Sequence, residues 1–150
     1  MIKRDIEVLK MYFPGLEELR TATMPTLVGM VTLPKMLTVP RDIRENYSIT
    51  IRIEYPFDFP SRTIIVYDHF KKIDWSKIPE KHWHYHSDGS LCTHHSLEIE
   101  KVKLENRSFM IIYNAVRLFI AYSSYLSTGQ WILKDLPHGY QAARQEILRS

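Results

Sequence analysis

From Ser48 onward the chain alternates apolar and polar residues: Ile49, Ile51, Ile53 and Tyr55 fall on one side, Ser48, Thr50, Arg52 and Glu54 on the other. A period of two predicts a strand with one buried and one wet face. Pro56-Phe57-Asp58-Phe59-Pro60 stops it, because proline cannot donate to a ladder. Thr26 to Leu33, ending at Pro34, and Thr63 to Asp68 are β-rich and read as further strands. Upstream, Ile6, Leu9, Phe13, Leu16 and Leu19 recur at roughly helical spacing, with Asp5 as the expected N-cap. Pro14-Gly15 interrupts that spacing, which predicts a helix to about Phe13 followed by a turn or a second short helix.

Between His69 and Glu105 the periodicity disappears. A segment this long is rarely a passive connection in a compact domain, so function is expected there. A long helix is predicted from Ser108 to Ser127, with Ile112, Val116, Phe119, Ile120 and Leu126 in the core and Thr128-Gly129 as its stop. Trp131 to Gly139 reads as a loop and the last ten residues as a short helix. The order of helix, strand meander, long loop and helix predicts one α+β domain over residues 1–150, its helices packed on an antiparallel sheet.

Composition narrows the classes. The chain has 150 residues, 45% hydrophobic and 25% charged, as in an ordinary globular domain. A net charge of +3 with no long basic block gives no argument for nucleic acid. Met1 to Lys10 is charged throughout and lacks the apolar core of a secretory signal. The most apolar stretch, Phe109 to Leu126, carries Asn114, Arg117, Ser123 and Ser124 and is expected to be a buried helix rather than a membrane span. The one cysteine, Cys92, has no internal disulfide partner, which fits a reducing, cytoplasmic setting.

The chemistry concentrates in His82-Trp83-His84-Tyr85-His86-Ser87-Asp88-Gly89-Ser90-Leu91-Cys92-Thr93-His94-His95, which holds five of the seven histidines. A thiol attacks as its thiolate, which a nearby imidazolium favours, and histidines carry protons near neutral pH. Asp88-Gly89 is a turn signal expected to place Cys92 on an exposed rim. Two plainer readings stand beside this one. A lone cysteine often serves as a small buried hydrophobe. His82, His84 and His86 also alternate, so an extended backbone would put them on one face where, with Cys92, they could ligate a transition metal. The shortage of thiolates and spaced carboxylates argues against metal, and none is expected. A cysteine hydrolase is disfavoured because no oriented Cys–His–Asn set is legible. His86, His94 and His95 are expected at the surface, Trp75 and Trp131 in packing, and His138 in a polar turn.

Tyr55-Pro56-Phe57-Asp58-Phe59-Pro60 resembles the Tyr-Pro-Phe-x-x-Pro signature that precedes the active site of ubiquitin-conjugating enzymes. The family then carries His-Pro-Asn and, a few residues on, Gly-x-Ile-Cys. His82 stands ten residues before Cys92, at the position of the family histidine; His84 stands at that of the asparagine; Gly89 and Leu91 match the glycine and the aliphatic residue. The resemblance covers roughly residues 5 to 135. The chain departs from the family at Trp83, in place of the proline, and at His84, in place of the asparagine. His94, His95 and the charged run Glu98 to Glu105 stand where a tryptophan usually follows the cysteine. These departures look like the divergent bacterial branch found in antiphage operons of the CBASS type.

The resemblance implies a catalytic set of Cys92, His84 and His82. Cys92 would carry a protein C-terminal acyl group as a thioester and pass it to an amine. His84 would take over oxyanion stabilisation from the asparagine, and His82 would brace the loop. It also implies a protein donor of the cGAS-like nucleotidyltransferase kind, a separate activating enzyme where ATP is consumed, and no cofactor at this step. A non-catalytic binding module of the same fold and a histidine-cluster metalloprotein are the alternatives.

Overall fold

The computed structural model describes residues 1–20, 23–32, 49–94 and 96–133. Leu33, Pro34, Ser48, His95, His138 and the helix expected over the last ten residues lie outside them.

Helix α1 (Ile2–Tyr12) starts the fold and ends at Phe13. Asp5 is not its N-cap: Met1 holds that position, and Asp5 sits in the first turn. Pro14-Gly15 forms the expected turn, closed by the Leu16 N–H donating to the Phe13 carbonyl at 3.1 Å, and it leads not into a second helix but into a short strand, β1 (Leu16–Glu18). It pairs with β2 (Thr26–Val31), which pairs with β3 (Ile49–Glu54), which pairs with β4 (Ile65–Asp68). All three pairings are antiparallel and the order is β1-β2-β3-β4, a four-stranded meander. The alternation in β3 is realised as read: Ile49, Ile51, Ile53 and Tyr55 are buried, and Thr50, Arg52 and Glu54 are half-buried. On the wet face the Arg52 guanidinium lies over the Tyr67 ring, 4.2 Å from its centre, and meets Glu54 at 3.2 Å.

The β1–β2 crossing is unusually close. A Cβ on Gly29 would stand 2.0 Å from the Gly15 carbonyl oxygen, and one on Gly15 would stand 2.3 Å from that of Met30. Only glycine lets the strands meet there.

Beyond β4 come a short helix, α2 (Ser96–Ile99), and the long helix α3 (Arg107–Thr128). Gly129 ends α3 in the left-handed conformation (φ 74°), its N–H donating to the Tyr125 carbonyl. Helix α3 is long and apolar enough to cross a membrane, but its Ile111, Ile112, Ala115, Val116 and Phe119 are buried with the β3 isoleucines in one core. Phe109 of α3 stacks on Phe13 at 5.6 Å and meets Tyr12 edge-on at 5.1 Å, joining the two helices. Leu126, expected in the core, is exposed, and so is Leu19, the last residue of the N-terminal helical spacing. Leu19 follows the end of a three-residue strand rather than continuing a helix, and Leu126 lies in the last turn of α3, past the sheet it covers.

Candidate active site

The segment after β4 is better organised than its lost periodicity suggests. Two 3₁₀ turns, Trp75–Lys77 and Glu80–His82, carry the chain outward. The Asp74 carboxylate caps the first through the Ser76 N–H at 3.1 Å. The Trp83 indole N–H donates to the carbonyls of Trp75 (2.8 Å) and Ile78 (2.9 Å), pinning both turns to the start of the histidine run.

Residues 84–92 then form a hairpin. Tyr85 and Leu91 pair as an antiparallel bridge, the His86 N–H donates to the Ser90 carbonyl, and the Cys92 N–H donates to the His84 carbonyl, both at 2.8 Å. The turn is Ser87-Asp88-Gly89, as read: Gly89 has φ 88°, and the Asp88 carboxylate accepts from the Ser90 N–H (2.9 Å) and hydroxyl (2.6 Å). Those bonds hold the Asp88 carboxyl below the usual carboxylate range. The hairpin hangs on the sheet through the Leu91 N–H, which donates to the Val66 carbonyl of β4 at 2.8 Å.

This register sets His84 directly opposite Cys92. Residues paired across an antiparallel ladder project to the same face, a few ångströms apart. The structure therefore brings together the two residues singled out from the sequence. His82, on the preceding 3₁₀ turn, joins them through Trp131, whose indole stacks on His82 at 5.2 Å and on His84 at 6.0 Å.

Exposure is where expectation and structure part. Cys92 is only 6% exposed and His84 only 7%, so Cys92 is not on an open rim and His84 is not a surface histidine. The solvent-facing rim is the turn at Asp88-Gly89; Cys92 comes three residues later, on the limb that the Leu91–Val66 bond draws inward. Burial pushes the Cys92 thiol up to about 11, because desolvation disfavours the thiolate; a backbone hydrogen bond at His94 offsets only part of this. The sulfur lies 4.0 Å from the His94 carbonyl oxygen.

The remaining histidines divide. His86 is exposed. His94 is half-buried rather than on the surface, its Nε2 3.5 Å from the Thr63 hydroxyl and its Nδ1 3.2 Å from that of Thr93. A cleft of about 440 Å³ beside the hairpin is lined by His86, Ser90, Leu91, Thr93 and His94 together with Thr63.

Among the described residues no group of three or more His, Cys, Asp or Glu side chains converges as a metal site. His82 leaves the extended run, so the three histidines do not line up on one strand. His82 ends a 3₁₀ turn, His84 points inward and His86 is solvent-facing. The role of Trp131 beside the histidines was not legible in the sequence beyond packing. Its only signal is an aromatic residue two positions after a helix-ending glycine.

No protein-family model, no curated protein and no solved structure matches this chain.

Proposed function

We propose that this chain is a ubiquitin-conjugating-type transferase with Cys92 as its acyl carrier. The observation that carries the reading is His84 facing Cys92 across a hairpin hung on the last strand of a four-stranded meander. In this reading the Cys92 sulfur attacks an activated protein C-terminus and displaces its leaving group, forming a thioester. A lysine amine then attacks the thioester carbonyl. The negative charge that collects on the carbonyl oxygen is met by a His84 N–H, the C–S bond breaks, and the amine proton passes to the released Cys92 thiolate as the amide forms. His82 holds the loop. The donor is a protein of the cGAS-like nucleotidyltransferase kind, in bacterial antiphage defence, and the setting is the cytoplasm. Where ATP is consumed, a separate activating enzyme supplies the activated C-terminus.

The raised thiol supports a slow resting state. Exchange with an incoming thioester still proceeds, because intrinsic sulfur nucleophilicity rises with thiol pKa and partly compensates a small thiolate fraction. Intact mass tests the reading. Wild type incubated with donor and activating enzyme should gain the donor mass in a reductant-sensitive form, and Cys92→Ala should gain none. His84→Ala should load normally and discharge to an amine about 10- to 1000-fold more slowly, the range for losing one oxyanion donor.

The enclosed sulfur favours a second reading, a non-catalytic binding module of the same fold. Tight binding of the donor by both wild type and Cys92→Ala, with no adduct on either, would replace the first reading with the second.

A further inference from the structure

Three observations converge on Trp131. The indole plane lies within 17° of the His82 ring and 12° of the His84 ring, with ring centres 5.2 Å and 6.0 Å apart, so the indole lies nearly parallel to both imidazoles. Tyr125 of α3 meets the same indole edge-on, 6.5 Å between ring centres, and bears on it from the helix side. The indole Nε1 is buried and has no hydrogen-bond partner among the described residues. Buried indole N–H groups ordinarily find an acceptor, as Trp83 does twice, and leaving one unmade is costly. A ring held in that state is held by what its face does rather than by its N–H. Its face lies against the two histidines.

We infer that Trp131 is a positioning residue of the site. Imidazole rotation about its outer side-chain bond is broad and roughly two-fold, so a histidine on a hairpin does not fix its own ring. A flat indole against His84 limits that rotation and decides where the ring nitrogens point across the ladder toward Cys92. The same indole holds His82, so the 3₁₀ turn and the hairpin are aligned by one ring delivered from the far end of α3. The N–H left without an acceptor is the result of setting the ring by its face.

The consequence for catalysis rests on the transferase reading; the stacking does not. The experiment therefore has two arms, on the intact chain. In the first, proton NMR of the wild type should show the His82 and His84 ring resonances displaced upfield by the indole ring current. Trp131→Leu, which fills space but does not stack, should abolish the displacement, and Trp131→Phe should keep part of it. Wild-type histidine resonances at ordinary positions would overturn the inference whether or not any variant folds. In the second arm, Trp131→Leu should slow amine discharge about 10-fold or more while leaving thioester loading within about twofold, with Trp131→Phe recovering most of the loss. A folded Trp131→Leu that discharges at the wild-type rate would also overturn it. Failure of the wild type to form any thioester would sink the transferase reading alone and leave the first arm to decide the role of Trp131.

Discussion

Cys92 behaves as two residues at once: a packed small side chain and a thiol with a face-to-face histidine. Its resting chemistry follows from the first. With the thiol held up to about 11, roughly one molecule in 10,000 carries a thiolate at pH 7. Iodoacetamide labelling of the folded protein should be slow at neutral pH and rise about tenfold per pH unit toward about 11, measured by intact mass. A labelling rate that levels off near 9 would mean that the sulfur is open to water. The same shift has a sign for stability. Between the ordinary thiol value of 9.0 and about 11 the unfolded chain has already lost the proton that the folded chain retains. The unfolded state then binds fewer protons, so wild-type stability falls as pH rises through that window. Cys92→Ala lacks this loss. Urea melts at pH 8 and pH 11 should show the variant gaining on the wild type at the higher pH.

At the scale of elements, the sheet turns on the crossing of β1 and β2. Gly29→Ala would drive a methyl to 2.0 Å from backbone that cannot move without unpairing β1, so a loss of about 2–3 kcal/mol is expected in denaturant melts. Gly89→Ala has open space around it and only its positive φ to strain, so about 1–2 kcal/mol is expected there. Elements with a strong period were legible: β3 from Ile49, Ile51, Ile53 and Tyr55, and α3 from its apolar spacing and Gly129. Strand β1 was not, because three residues with two glutamates carry no alternation to read, and the glycine that admits it looks like a turn signal. Within the site, Cys92, His84 and the Asp88-Gly89 turn were legible from spacing and turn chemistry. The burial of Cys92 was not, because it follows from a single long-range bond between Leu91 and Val66 that no local pattern announces. His94 was misjudged for the same reason: one of its two hydroxyl partners, Thr63, lies 31 residues away.

Across the whole molecule, α1 and the sheet are tied by a hydrogen bond from the buried Tyr55 hydroxyl to the Asp5 carboxylate, spanning 50 residues of sequence. Burial, with the Asp5 charge beside it, pushes the Tyr55 phenol far above its ordinary value, so it stays a donor at every accessible pH. Tyr55→Phe leaves a carboxylate without its donor and should cost about 1.5–3 kcal/mol. Asp5→Ala should cost a similar amount and the double variant little more than either, a coupling that urea melts of all four proteins would measure. The core that these ties enclose is covered by α3, and the helix has a second effect. At 1.5 Å per residue its 22 residues span about 33 Å before Gly129 turns the chain. The helix is thus a measuring rod: its residue count sets the height and bearing at which Trp131 emerges. One residue more or fewer would swing that point by about 100° and lift or lower it by about 1.5 Å, carrying the indole off both imidazoles. Insertions that the loops would absorb are therefore barred from this helix.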